Sequence, residues 1–281
     1  MHVPTVLLCG HVTLDRVGEL FVPGGSAYYS GQAWRALGAR VRVLTAAASG
    51  YPTDALAGLE VHLIPSPATT VFVNVHHPDG SRTQRVEAQA PPLDPARLDP
   101  RWRGADVLHL APVLGELDVA AFRASAGARL VGLAAQGLVR AVQPDGSVAQ
   151  PRWEFDPRAL AGVDAVCLGE DDVRGQGDLV ERLTRTVPVV AFTHGARGAE
   201  IIVRGRTHHI GVYPVDEVDP VGAGDVFASA FLFGLARGDD PVSAARLGAA
   251  AGSIAVEARG GEALPRVGEA FARTARVPVQ G

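Results

Sequence analysis

Short, unbroken apolar runs recur along this chain: "VPTVLLCG", "VRVLTAA", "ADVLHLAPV", "ARLVGLAAQ", "VDAVCLGE" and "VPVVAFTHG". They have strand length, and they do not alternate apolar with polar residues. A strand of that kind must be covered on both faces, which is the condition of a parallel sheet between two helical layers. The stretches between the runs carry helical spacing. "SAYYSGQAWRALGA" reads as a helix with Gly38 as its cap, and 223–236 and 241–257 read as two more, with Gly238 and Pro241 between them. The predicted fold is α/β: a doubly wound, mostly parallel open sheet with helices on both faces. At 281 residues and 47% hydrophobic, the chain can bury a sizeable core as one domain, 1–281.

Two stretches break the rhythm. "TTVFVNVHHPDGSRTQRVEA" alternates on either side of "PDG", as an antiparallel hairpin with one wet face does. It predicts a small β flap over about 69–88. "GAEIIVRGRTHHIGVYPV" reads as a second hairpin. The histidine pairs at 76–77 and 208–209 fall within these hairpins. Adjacent strand residues point to opposite faces, so neither pair converges on one ion.

Charge and composition exclude some functions. The net charge of −4 leaves no basic footprint for nucleic acid. No apolar run approaches the roughly 18 residues of a membrane span, and the N-terminus reads as a buried strand and not as a leader. Two cysteines, Cys9 and Cys167, each inside an apolar run, fit a reducing cytoplasm. All 26 basic residues are arginine. With no lysine there is no P-loop lysine, no protein-kinase strand lysine and no Schiff base. If the chain handles ATP, it must hold the phosphates another way.

"DPVGAGDVF", residues 219–227, offers that way. Residues 215–218 read as the end of a strand, and a helix begins near Ala223. Gly222, Ala223 and Gly224 then lie at a helix N-terminus, where the first N–H groups have no internal partners and the dipole is positive. Small residues let an anion approach that backbone. Asp225 falls in the first turn, beside the anion hole, where a carboxylate can take a proton from a hydroxyl attacking phosphorus. An ordinary Gly-rich turn with an acidic helix start accounts for the same residues. A dinucleotide fingerprint of the G-x-G-x-x-G kind, as in a dehydrogenase, has Phe227 at its third position and lies in the wrong part of the chain.

The stretch "DPVGAGDVFASAF" resembles the D-T-x-G-A-G-D-x-F signature of the ribokinase-like (PfkB) sugar kinase family. Other segments agree in order. "GHVTLD" is similar to the first strand with its substrate-binding Asp, "PGGSAYYSG" to the di-glycine turn, "THGARG" to the T-x-G-x-x-G turn, and "GEDD" to the N-x-x-E element. The resemblance implies a phosphotransferase acting on an alcohol group, with ATP as donor and Mg2+ as cofactor. Asp225 would be the base, and Gly222, Ala223 and Gly224 the anion hole. Asp15, Gly24, Gly25, Tyr29 and Arg140 would meet the acceptor. Thr193, Gly195, Gly198 and Asp219 would meet the nucleotide, and Asp172 or Glu170 would organise the magnesium. The acceptor would be a small sugar or polyol; a nucleoside kinase, or a weakly catalytic nucleotide or sugar sensor, is the alternative.

Departures from the pattern are informative. The usual Thr is Pro220, which removes a backbone donor. Tyr29 stands where an asparagine is expected, and Gly169 and Asp172 replace Asn and Glu. Only residues 16–23 separate Asp15 from Gly24, which reduces that part of the lid and makes it rest mainly on 69–88. A short lid is similar to the inositol-kinase branch, and a partner subunit would complete it as a homodimer.

Overall fold

The computed structural model describes residues 3–76 and 82–280. His77 and the "PDG" turn lie outside the described residues.

The chain opens with β1 (Thr5–Cys9), the hairpin β2 (Thr13–Val17) and β3 (Leu20–Gly24), and α1 (Ser26–Ala36). Next come β4 (Arg40–Ala47), β5 (Glu60–Pro65), and the hairpin β6 (Thr70–His76) and β7 (Arg82–Ala88). The middle of the chain holds β8 (Val107–Leu110), α2 (Val119–Ala126), β9 (Leu130–Ala134), and the short pair β10 (Ala141–Val142) and β11 (Val148–Ala149). Then follow β12 (Ala165–Gly169), α3 (Leu179–Thr184), β13 (Val189–Thr193), β14 (Ala199–Val203) and β15 (Arg206–Ile210). The chain closes with α4 (Ala223–Ala236), α5 (Pro241–Ala255), α6 (Ala270–Thr274) and β16 (Val279–Gln280).

One large sheet has the order β16-β15-β14-β13-β12-β9-β8-β1-β4-β5. From β5 to β13 every pairing is parallel; from β13 to β16 every pairing is antiparallel. Side chains of β1 alternate between two cores. Val6 and Leu8 join the layer of α1, α4 and α5, while Leu7 and Cys9 join the layer of α2 and α3. This is the two-sided cover that the unbroken apolar runs demand. Helix starts carry the expected chemistry: Asp118 caps α2 through Ala121 N, and Asp240 caps α5 through Val242 N and Ser243 N. Gly38 takes a positive φ of 92° just past α1.

A second, four-stranded sheet has the order β3-β2-β6-β7 and lies over the carboxyl ends of the parallel strands. Residues 16–23 lie in one short hairpin of two five-residue strands, beside the longer hairpin of two seven-residue strands within 69–88. The pair β10–β11 props this sheet. Val86 N donates to Gly146 O at 2.8 Å and an Arg85 Nη2 donates to Asp145 O at 2.9 Å. Phe72, Val113 and Leu114 pack beneath with Val86, Val142 and Val148. One correction concerns 215–218, expected as a strand end. After β15 stops at Ile210, residues 211–222 run irregularly to α4. Val215 alternates with Pro214 and polar neighbours like a strand, but residues 215–218 join no strand, and the place beside His209 and Ile210 is taken by β16. Among the described residues no helix is long and apolar enough to cross a membrane.

The turn after β1 is packed to contact. A Cβ at Gly10 would fall 2.2 Å from Ala111 O, whereas one at Gly50 would meet nothing within 4 Å. Gly10→Ala should therefore destabilise by about 1–3 kcal/mol and lower the thermal midpoint by several degrees. Gly50→Ala should leave it unchanged. Equal midpoints for the two variants would show that the β1–β8 junction tolerates the methyl group.

Candidate active site

Three cavities meet at the N-terminus of α4. The first, about 150 Å3, lies under the small sheet and is lined by Asp15, Tyr29, Asn74, Gln84 and Gly222 among others. The second, about 220 Å3, lies beyond β12 and β13 and is lined by Glu170, Asp172, Thr193 and Gly195. The third, about 440 Å3, is walled by Tyr213, Val215, Ala249, Gly252 and Val256. Gly224 lines all three, and Asp225 lines the first two. An open α/β sheet binds its ligands here, beyond the carboxyl ends of its strands.

The residues of the "GAG" turn adopt this position for a steric reason. Gly222 has φ 80°, and a Cβ there would sit 2.3 Å from the Tyr29 ring. Only glycine gives both the left-handed backbone and the space. Tyr29 is itself 3% exposed, so it forms the floor under that turn. No carbonyl among the described residues accepts from the N–H of Gly224 or Asp225. Ala223 differs from expectation: its N–H donates to Pro220 O at 3.2 Å and is not offered to an anion. The turn created by Pro220 closes on itself through this bond.

Asp225 has an unusual carboxyl. Burial pushes its pKa up to about 6; a hydrogen bond from Ser26 and the nearby Arg140 charge pull it down, and Asp172 pushes it up again. A carboxyl raised in this way changes charge nearer neutral pH than an ordinary carboxylate does. Arg140 lines the first two cavities, is 8% exposed at its side chain, and lies 4.0 Å from Asp172 Oδ1.

Asp15 stands on β2 facing the first cavity. A polar row continues from it across the small sheet: Asn74 Nδ2 reaches Asp15 Oδ1 at 3.5 Å, and Gln84 Nε2 donates to Asn74 Oδ1 at 2.8 Å. Gly24 leaves room for this carboxylate, since a Cβ there would lie 2.7 Å from Asp15 Oδ2. Gly25, with φ 87°, lines the cavity and lets the chain turn into α1 against His11 O. Glu116, 3% exposed, fixes the cavity's rim. It accepts from His11 N, Val113 N and Leu114 N at 2.8–3.0 Å, tying the ends of β1 and β8 together.

The nucleotide-side candidates divide. Thr193 and Gly195 line the second and third cavities, and Gly198 lines the third. Asp219 lines none of the three. Its Oδ1 accepts from Val221 N at 3.0 Å and its Oδ2 from Gly260 N at 2.8 Å, so it braces the turn before α4. Asp172 and Glu170 both face the second cavity but are already engaged. Asp172 Oδ2 accepts from Gly169 N at 2.8 Å, and Glu170 is paired with Arg197 and lies 3.6 Å from His194 Nδ1. No group of three metal-ligating side chains occurs among the described residues. That donor set fits a hydrated Mg2+ brought in on phosphates, not a cation caged by protein oxygens. Ser26, Asn74, Gln84 and Gln136 escaped the sequence reading. Ser26 follows the di-glycine directly, and Asn74 is the polar residue among apolar ones in "TVFVNVH"; Gln84 and Gln136 carry no local signal.

Comparison with known proteins agrees with this geometry. The model of the pfkB family carbohydrate kinase matches residues 147–266. A 5-dehydro-2-deoxygluconokinase of Shouchella clausii is 41% identical over 83 residues, which is 29% of this chain and 26% of that protein. An inositol 3-kinase of Zea mays is 35% identical over 130 residues, 46% of this chain and 34% of that protein. The chain thus spans about a quarter to a third of these two relatives. A pyrophosphate-dependent kinase in the ribokinase family, solved with a pyrophosphate analog and myo-inositol, superposes with a TM-score of 0.78. It covers 91% of this chain and 96% of its own at 21% identity, a likeness of fold. The family model thus matches the C-terminal part of the chain that carries "DPVGAGDVF", and the solved structure shows that the whole chain shares the ribokinase-like fold.

Proposed function

We propose that this protein is a kinase that transfers the γ-phosphoryl group of ATP to a hydroxyl of a small sugar or polyol. The observation that carries the reading is the position of Asp225: it borders both the first cavity and the second, beside the free N–H groups of a helix N-terminus. Acceptor and donor phosphates would meet at that border.

In the first cavity Asp15, Asn74 and Gln84 offer carboxylate and carboxamide groups to hydroxyls, as recognition of a polyol requires. At about 150 Å3 it suits a ring of monosaccharide or cyclitol size better than a nucleoside. The donor's phosphates would lie along the second cavity, and its base and ribose in the largely apolar third. As the acceptor oxygen attacks phosphorus, its proton passes to the Asp225 carboxylate. The new O–P bond forms, and the bond to the ADP oxygen breaks. The N–H groups of Gly224 and Asp225, together with Arg140, offset the charge that develops on the transferring group. Asp172 and Glu170 would hold the water shell of Mg2+, which supplies charge neutralisation on the donor phosphates when bound. A second reading replaces ATP by pyrophosphate. It is favoured by the donor of the structural neighbour, and opposed by the large third cavity, for which pyrophosphate has no use.

A cytoplasmic setting goes with this reading, since Cys9 and Cys167 are buried, unpaired thiols. So does a homodimer through the small sheet. Its edge strand β3 exposes Leu20, Phe21 and Val22, an apolar strand edge suited to pairing with a second copy.

Three outcomes are expected. Asp225→Asn should lower kcat for ADP release in the presence of acceptor by about 10²–10⁴-fold with folding intact; undiminished turnover would remove the assignment. For the wild type, Asp225 must be ionised to act, and its pKa is raised to about 6. The pH profile of kcat/KM should therefore fall with unit slope below about pH 6 and level off above it; a break near 4 would mean an ordinary carboxylate. Light scattering should give twice the 29.2 kDa chain mass, and Phe21→Glu should give the monomer. A wild-type monomer would end the dimer reading.

A further inference from the structure

Asp15 and Asn74 stand on the small sheet, whereas Asp225 stands on α4, which packs on the large one. Their mutual placement depends on how the two sheets are joined. The ladders of β1 end at Cys9, which pairs with Leu44 on β4 and with Leu110 on β8, and Gly10 N still reaches Leu44 O at 3.2 Å. The next two N–H groups, on the crossing into β2, are met by side chains from either flank. His11 N donates to Glu116 Oε1 at 3.0 Å, from beyond β8, and Val12 N donates to Thr45 Oγ1 at 2.8 Å, on β4.

The crossing into β6 is tied to the same place. Ser66 N donates to Ala47 O at 3.0 Å, and Ala48 N, just past the end of β4, donates to Thr69 Oγ1 at 3.0 Å. Pairing of β2 with β6 begins directly beyond these two ties, with Thr13 opposite Thr70. Both hydroxyls are shielded, since Thr45 is 0% exposed and Thr69 6%. A shielded N–H that loses its acceptor is costly, so each tie confines the crossing to the geometry that keeps the bond. Neither threonine lines any of the three cavities at α4. What they do for the site they do through the strands they hold.

We propose that Thr45 and Thr69 are positioning residues of the acceptor site: their hydroxyls seat β2 and β6 on the end of β4 and so set where Asp15 and Asn74 stand relative to Asp225. The inference rests on the kinase reading for its reaction. It assigns the two threonines no contact with either substrate.

The test uses Thr45→Val and Thr69→Val, which keep the branched shape and delete the acceptor, beside Thr45→Ser and Thr69→Ser, which keep the hydroxyl. Myo-inositol, D-fructose and D-ribose are assayed with Mg-ATP, and the one with the highest kcat/KM is the probe. Each valine variant should raise the KM of that acceptor about tenfold, as displaced binding groups do, and leave the KM for ATP unchanged. Each serine variant should restore the wild-type value. A threonine that only stabilised the fold would lower kcat with the folded fraction and move neither KM. An unmoved acceptor KM, an equal rise in the KM for ATP, or serine variants as impaired as the valine ones would overturn the proposal while the kinase reading stands. If Thr45→Val does not fold, Thr69→Val, at the less buried position, decides alone. If no acceptor supports turnover, the kinase reading fails separately, and amide hydrogen exchange decides. Faster exchange over 13–17 in Thr45→Val and over 70–74 in Thr69→Val, reversed by serine, supports the positioning role; unchanged exchange ends it.

Discussion

Everything at this site depends on how deeply α4 is buried. A helix N-terminus can be aimed at a reaction point only if the rest of the helix cannot move. Here Val226 through Gly234 are all buried, with Phe231 and Leu232 at 0% exposure. Each large apolar side chain among them, Val226, Phe227, Phe231, Leu232 and Phe233, contributes on the order of 1.5–3 kcal/mol. Beneath them the sheet makes room: a Cβ at Gly132 on β9 would fall 2.3 Å from Leu232. The helix is therefore seated on the strand, and Gly222, pressed onto Tyr29, defines where it begins. The position of Asp225 follows from packing many residues away from any substrate.

That seating also explains the electrostatics. Without lysine, the site balances few charges. Asp225 is pushed towards neutrality by burial and by Asp172, and held towards ionisation by Ser26 and Arg140. Arg140 serves both carboxylates because it comes off the end of β9, between β12 and the small sheet. A guanidinium there stays charged through any local change, which a lysine in so buried a place would not. Asp172 is in turn fixed by Gly169 N, so the Gly in place of the usual Asn loses a side chain while its N–H locks the neighbouring carboxylate.

What could be read in advance was local in the chain. The parallel sheet was legible because two-sided burial imposes unbroken apolar strands, and α4 because an apolar stretch follows a Gly-rich turn; the weight put on Asp225 came from the resemblance of "DPVGAGDVF" to a signature, since an ordinary turn fits the same spacing. Asp15, Tyr29 and Thr193 followed from segments that keep their order. The remainder is tertiary. Asn74 and Gln84 matter only because β6 and β7 pair with β2, which aligns the row Asp15, Asn74, Gln84 across three strands. Asp219 looked like a ligand residue by its place in the signature, yet two backbone N–H groups, one from Gly260 far along the chain, claim its carboxylate. Ala223 N–H was lost to Pro220 O through a turn whose closure no spacing rule foretells.

The small sheet carries the last consequence. A cover hinged only at its two hairpin ends could swing freely, but β7 is bonded to the β10–β11 hairpin, which itself leaves the main sheet just after Arg140. The chain runs from Arg140 directly into β10, and the hairpin's bonds to β7 set where Gln84 stands, so one set of backbone hydrogen bonds positions both the guanidinium and the carboxamide on the wall of the first cavity.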